Sequence, residues 1–194
     1  MKFLDEIKKK FGEGSIMTTS DIVKGVDSIS TTCLSLDKAL GVGGIPKGRI
    51  TEIYGLDSTG KSTLSSHIIS EAQKNGGICL YIDFENCVDI NYLNKLGVIT
   101  SPEQFLLSQP DSAEIGMSIL ETAVQSGEVA IVVVDSVAAM VTEAELNGEV
   151  EDANIALAAR LLSKMMRRLV SIINKTNTAV VFINQLRDNI GAFG

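Results

Sequence analysis

Two hydrophobic rhythms alternate along this chain. Runs of mostly apolar residues, ICLYID (78–83), FLLSQ (105–109), VAIVVVD (129–135) and AVVFINQ (179–185), have the length of strands, and residues 49–54 add a fifth. VAIVVVD is apolar at every position before its aspartate, the pattern of a strand covered on both faces. Between these runs the pattern lengthens to a helical period. A helix is predicted from the loop at 55–60 to about Lys74, stopped by NGG (75–77). DINYLNKLG (89–97) predicts a short helix closed by Gly97. Asp111 and Glu114 have capping-box spacing ahead of a helix with a buried stripe of Ile115, Ile119, Ala123 and Val124 and a stop at Gly127. A long helix is expected over about 153–175. At the start, Phe3, Leu4, Ile7 and Phe11 share one side of a short amphipathic helix over 2–11, and VDSISTTCLSLDKAL (26–40) begins β-rich and ends helical. GVGGIPKG (41–48) is a turn cluster. Strands that alternate with helices imply an α/β fold with a parallel sheet wrapped on both sides.

Composition narrows the class. The 194 residues suit one domain, and 45% hydrophobic with 21% charged residues is ordinary for a soluble globular protein. The longest apolar runs are too short for a membrane span, and MKFLDEIKKKFGEG has no signal-peptide core. Cys33, Cys79 and Cys87 form an odd set without CxxC spacing, and His67 is the sole histidine, which argues against a disulfide framework and a histidine metal site and points to a reducing cytoplasm. The net charge of −7 argues against attachment to nucleic acid through the overall field, so any such binding has to be local.

The candidate chemistry starts at GLDSTGKST (55–63), which fits G-x-x-x-x-G-K-[ST] between a strand and a helix. Glycines in such a loop let backbone N–H groups curl around phosphate oxygens, and the helix directs its positive end at them. Lys61 is suited to the β- and γ-phosphates and Ser62 to Mg2+. Asp135 ends an apolar strand where a carboxylate supports the metal shell. Glu85, just past ICLYID, is a candidate to orient or deprotonate water, with Asp83 two residues away as the rival. Asn184 and Gln185, at another strand tip, are read as γ-phosphate contacts or, more simply, loop caps. His67 reads as packing or surface, and Cys87 has no neighbour that predicts a lowered pKa.

SISTTCLSLDKALGVGGIPKGRITEIYGLDSTGKSTL, followed by YIDFEN, LLSQPDSAE, IVVVDSVAAM, LAARLLSKMMRRL and FINQLR, closely resembles the bacterial RecA recombinases from about residue 11 to the last. The resemblance implies a P-loop NTPase core of RecA type over 33–194, lacking the C-terminal part of the fold, after a helix-and-strand oligomerisation segment over 1–32. It implies ATP with Mg2+, single-stranded DNA, a helical filament of the protein with itself, and homologous recombination and DNA repair. By position, Gly55, Leu56, Asp57, Ser58, Thr59, Gly60, Lys61, Ser62 and Thr63 become the phosphate loop, and Asp135 the Mg2+-associated aspartate. Glu85 takes the place of the water-activating carboxylate, Asp89 and Tyr92 that of the adenine contacts, and Gln185 that of the γ-phosphate sensor. SISTTCLSL resembles the segment that adds a strand to the neighbouring subunit. Arg160 is assigned to DNA from a basic face of Arg160, Lys164, Arg167 and Arg168, and Arg187, Ile190 and Gly191 open the second DNA loop. The first DNA loop spans roughly 145–156 and carries Glu151 where the family has glycine; Asp188 and Asn189 are departures in the second. Two classes of function follow: a DNA-dependent ATPase and recombinase, or a non-catalytic nucleotide-binding and assembly fragment of one. A small-molecule kinase has only the phosphate loop behind it.

Overall fold

The computed structural model describes residues 2–12, 15–16, 25–148 and 155–186, with 155–157 as backbone. Five strands, β3 (Ile50–Gly55), β4 (Ile78–Asp83), β5 (Phe105–Ser108), β6 (Val129–Asp135) and β7 (Ala179–Gln185), form one sheet in the order β3-β7-β6-β4-β5. Each neighbouring pair is parallel. Parallel neighbours need crossovers, and the helices supply them: α3 (Lys61–Lys74), α4 (Ile90–Lys95), α5 (Ala113–Ser126), α6 (Glu143–Asn147) and α7 (Ile155–Thr176). Before the sheet lie α1 (Lys2–Phe11), α2 (Leu34–Leu40) and a two-residue antiparallel pair, β1 (Ser28–Ile29) with β2 (Ile45–Pro46).

The unbroken apolar runs are explained by burial on both faces. Ile131 and Val133 of β6 join Val181 and Ile183 of β7 against Ile68, Ile69 and Ala72 of α3. Val132 and Val134, the alternate residues, join Val180 and Phe182 against Met117, Leu120 and Val124 of α5 and Met165, Leu169 and Ile173 of α7. Helices therefore cover both sides of the sheet, as the pattern required.

Some sequence expectations shift. The phosphate-loop strand runs 50–55 rather than 49–54, and the third strand stops at Ser108. α5 is capped by Ser112, whose hydroxyl accepts from the Ile115 N–H, and not by Asp111. Glu114 instead accepts from the Glu143 N–H at the start of α6. The buried stripe of α5 is Ala113, Gly116, Met117, Leu120 and Val124, and Ile115 stays 43% exposed, because α7 and the sheet meet the other flank of the helix. Gly116 sits close against its neighbours: a Cβ would lie 2.3 Å from Cζ of Phe84 and 2.9 Å from Cγ of Pro110, so a larger residue has to displace one or both side chains. No residue of α1 is fully buried: Leu4 and Ile7 are partly covered, while Phe3 and Phe11 are two-thirds exposed. Ser28–Ile29, within the segment expected to add to a neighbour, pairs in its own chain with Ile45–Pro46.

Candidate active site

All the functional strands of the sheet present their C-terminal ends to one edge. β3 runs into the loop 56–60, β4 ends at Asp83, β6 at Asp135 and β7 at Gln185. Register brings Gly55 opposite Gln185, and Asp83 opposite Asp135. A cavity of about 390 Å³ opens there, lined by residues 57–63 with Glu85, Asp135 and Gln185. Crevices at strand C-termini are where open α/β sheets hold ligands.

The loop needs its glycines. Gly60 caps α3 with φ 89°, in the left-handed region that glycine enters without a steric penalty. Thr59 donates its hydroxyl to the Leu56 carbonyl, closing the turn at 2.8 Å. Lys61 Nζ donates to the carbonyls of Gly55 (3.2 Å) and Leu56 (2.8 Å), so the ammonium is held inside the loop. The loop thus sets a cation and the positive end of a 14-residue helix at one cavity, an arrangement made for phosphate.

Ser62 Oγ, one residue on, donates to Asp135 Oδ2 at 2.7 Å, and Tyr81 donates its hydroxyl to the same oxygen at 2.6 Å. Burial raises the Asp135 carboxyl above its ordinary pKa, while the Tyr81 and Ser62 hydrogen bonds pull it down. Burial also raises Tyr81, helped by the Asp135 charge, so its hydroxyl is a proton donor. A hydroxyl beside a carboxylate is an oxygen donor set, and its chemistry fits a hard divalent cation such as Mg2+.

Glu85 and Asp83 have different fates. Asp83 is fully buried and accepts four hydrogen bonds, from the N–H groups of Glu85, Cys87 and Val88 and from Gln109 Nε2. It shapes the loop after β4 and has no freedom to act on a substrate. Glu85 is exposed to the cavity, and its Oε1 accepts from Ser136 Oγ at 2.6 Å and from Gln185 Nε2 at 2.9 Å. Three strands, β4, β6 and β7, thereby contribute to one polar cluster. Asn184 is turned aside, donating to Glu52 at 2.9 Å. Cys87 Sγ lies 3.9 Å from Glu85 Oε2, and burial with the neighbouring acids raises its pKa, which suits a passive thiol.

Asp89 caps α4, accepting from the Asn91 and Tyr92 N–H groups. Tyr92 is 45% exposed, and its hydroxyl shares a 3.1 Å hydrogen bond with Thr63, so this ring borders the loop. Arg160 is exposed on α7, whereas Arg168 is engaged by Glu121 at 2.6 Å and drops out of the open basic face. Arg187, Ile190, Gly191 and Glu151 lie outside the described residues. The local pattern missed Tyr81 and Ser136. Tyr81 reads as one more apolar strand position; Ser136 follows the motif aspartate and was the available signal.

The model of the RecA N-terminal domain family matches residues 1–194. The chain is 50% identical over 192 residues to Protein RecA of Helicobacter pylori, covering 98% of this chain and 55% of that protein. It is 52% identical over 188 residues to Protein RecA of Bdellovibrio bacteriovorus, covering 95% and 49%. Protein RecA of Clostridium beijerinckii is 50% identical over 189 residues, covering 97% and 52%. The chain thus spans about half the length of the curated relatives it matches. With a family match that runs end to end over a phosphate loop and a carboxylate cluster at the sheet's C-terminal edge, this chain belongs to the RecA family.

Proposed function

We propose that this chain is the ATP-hydrolysing part of a recombinase that assembles on single-stranded DNA and acts in homologous recombination and DNA repair. One observation carries the reading: Glu85, held by Gln185 and Ser136, lines the same cavity as Lys61, Ser62 and Asp135. Lys61 and the N–H groups of the loop, Thr63 included, bind and orient the phosphates, and Asp89 and Tyr92 flank the base. Glu85 takes the proton from the attacking water. Gln185, bonded to Glu85 at the tip of β7, passes the state of the γ-phosphate to the segment that follows, where Arg187, Ile190 and Gly191 are assigned to DNA with Arg160. Ser62 and Asp135 are the residues to hold Mg2+. When bound, the ion neutralises charge on the phosphate oxygens. Residues 1–32 supply contacts between subunits of the filament.

The test is ATP hydrolysis by the purified chain with and without single-stranded DNA, Lys61→Ala serving as the blank. DNA-stimulated turnover that the mutant abolishes is expected. Nucleotide binding indifferent to DNA leaves instead the second reading, a nucleotide-binding assembly fragment whose activity belongs to a longer protein.

Asp135 gives a prediction that combines pH and metal. Its folded-state pKa lies above the unfolded value, so the unfolded chain releases this proton first as pH rises from about 4. Folding stability therefore falls across that window and stays lowered above it. Asp135→Asn removes the cost while keeping a carbonyl oxygen for Tyr81 and Ser62. Its melting temperature at pH 7 without nucleotide is expected to equal or exceed that of the parent. The further rise that Mg2+ and ATP give together is expected to vanish.

A further inference from the structure

Tyr81 does something that neither the phosphate loop nor core packing requires. Its ring is 2% exposed on the α3 side of the sheet, among Ile68, Leu93 and Val133, with the Phe105 ring 6.3 Å away at 40°. A phenylalanine fills that volume as well. The hydroxyl adds only a hydrogen bond, and it lands on Asp135 Oδ2, the oxygen that Ser62 also uses. Tyr81 stands opposite Val133 in the ladder, so it reaches two residues along β6 to meet the strand-end aspartate. The two donors come from different elements, β4 and α3, and neither depends on the other for its position.

Among the described residues, both side-chain donors to Asp135 fall on that one oxygen. A carboxylate with a single donor rotates about it, whereas two donors on Oδ2 from separate elements fix the plane of the group. Oδ1 is then the oxygen left for whatever the cavity holds. Ser62 can also turn its hydroxyl lone pairs to a cation while its proton stays on Asp135.

We propose that Tyr81 is a positioning residue for the divalent cation of the nucleotide complex: by holding Asp135 Oδ2 from the core side, it presents Oδ1 to the cation's coordination shell. The inference rests on the reading of this cavity as a nucleotide–Mg2+ site. Groups that orient metal-associated side chains change metal affinity about 10–100-fold when removed. Tyr81→Phe keeps the ring and deletes the donor.

The test is a titration of Mn2+, followed by its electron paramagnetic resonance signal, into the full chain with a non-hydrolysable ATP analogue. Ser62→Ala serves as the reference, and analogue affinity is also measured in EDTA. Tyr81→Phe is expected to weaken nucleotide-dependent Mn2+ binding by about tenfold while affinity in EDTA stays unchanged. A mere packing role moves stability but not this split. If Ser62→Ala weakens Mn2+ and Tyr81→Phe does not, the positioning role is overturned and the nucleotide site stands. If the parent chain itself shows no nucleotide-dependent Mn2+ binding, the site reading falls and takes the inference with it. The double variant Tyr81→Phe/Asp135→Ala, in which no side-chain oxygen is left for Tyr81 to hold, guards against an indirect effect. Its Mn2+ affinity is expected to match that of Asp135→Ala alone, and additive losses overturn the proposed route through Asp135.

Discussion

Glu85→Gln is expected to lower ATP turnover by about two to four orders of magnitude while leaving ATP affinity close to that of the parent. Glutamine keeps the length of the side chain and an oxygen to accept from Ser136 and Gln185, so the cluster across β4, β6 and β7 survives. It removes the basic oxygen that a water molecule would hand its proton to. Single-turnover hydrolysis and nucleotide-binding titrations on the same preparation separate the two effects. Turnover within threefold of the parent (about 0.7 kcal/mol on the barrier) sinks the assignment of Glu85 as the base. Asp83 is no substitute in that event, since its oxygens are already taken by three backbone N–H groups and Gln109.

Asp83→Asn is expected to be the most damaging single change to the fold around this site. A buried carboxylate with four donors accepts with both oxygens, Oδ1 from Glu85 and Oδ2 from Cys87, Val88 and Gln109. An asparagine presents one oxygen and one NH2 group. In either orientation a donor faces a donor, and the hydrogen bonds that remain lose their charge assistance. The cost is about 3 kcal/mol, or roughly 6–12 °C in melting temperature for a chain of this size. Because the Glu85 backbone is among the groups released, turnover falls as well. Urea denaturation gives the stability change directly, and a loss under about 0.5 kcal/mol, the scale of an ordinary surface substitution, rules out this view of Asp83. The two acids, two residues apart on one strand exit, thus fail differently: one in catalysis with the fold intact, the other through the fold.

Much of this was legible in the chain itself. β4, β6 and β7 have the boundaries that their runs dictated, because strands covered on both faces stay apolar until the polar residues of their C-terminal ends. The loop motif located Lys61 and Ser62, and the strand ends located Glu85, Asp135 and Gln185 on the same cavity. Hydrogen bonds between elements distant in sequence were not legible. The Tyr81–Asp135 and Ser136–Glu85 pairs span 54 and 51 positions, and no local spacing encodes them. α5 shows the same limit in packing. Its period was clear, but which flank was buried depended on where α7 lay, so Ile115 was expected inside and is found largely outside. Asp83 and Glu85 differ in the same way: backbone amides surround the first, while the second lines the cavity, and no local spacing encodes that difference.

Strand β3, which launches the phosphate loop, stands at one end of the sheet order, and among the described residues its only sheet partner is β7. Ile50 pairs with Val180 and Gly55 with Gln185, so among the described strands of this sheet the first to be made is seated by one that lies about 130 residues later. Pairings this far apart in sequence close slowly, because the intervening chain has to be ordered before they repay their loop entropy. During synthesis, when chains emerge N-terminus first, the phosphate loop leaves the ribosome long before its anchor exists. Nucleotide can stabilise only a folded site. A nucleotide that needs the folded loop would therefore be no help to the nascent chain, and β3 stays without its sheet partner until β7 has been made.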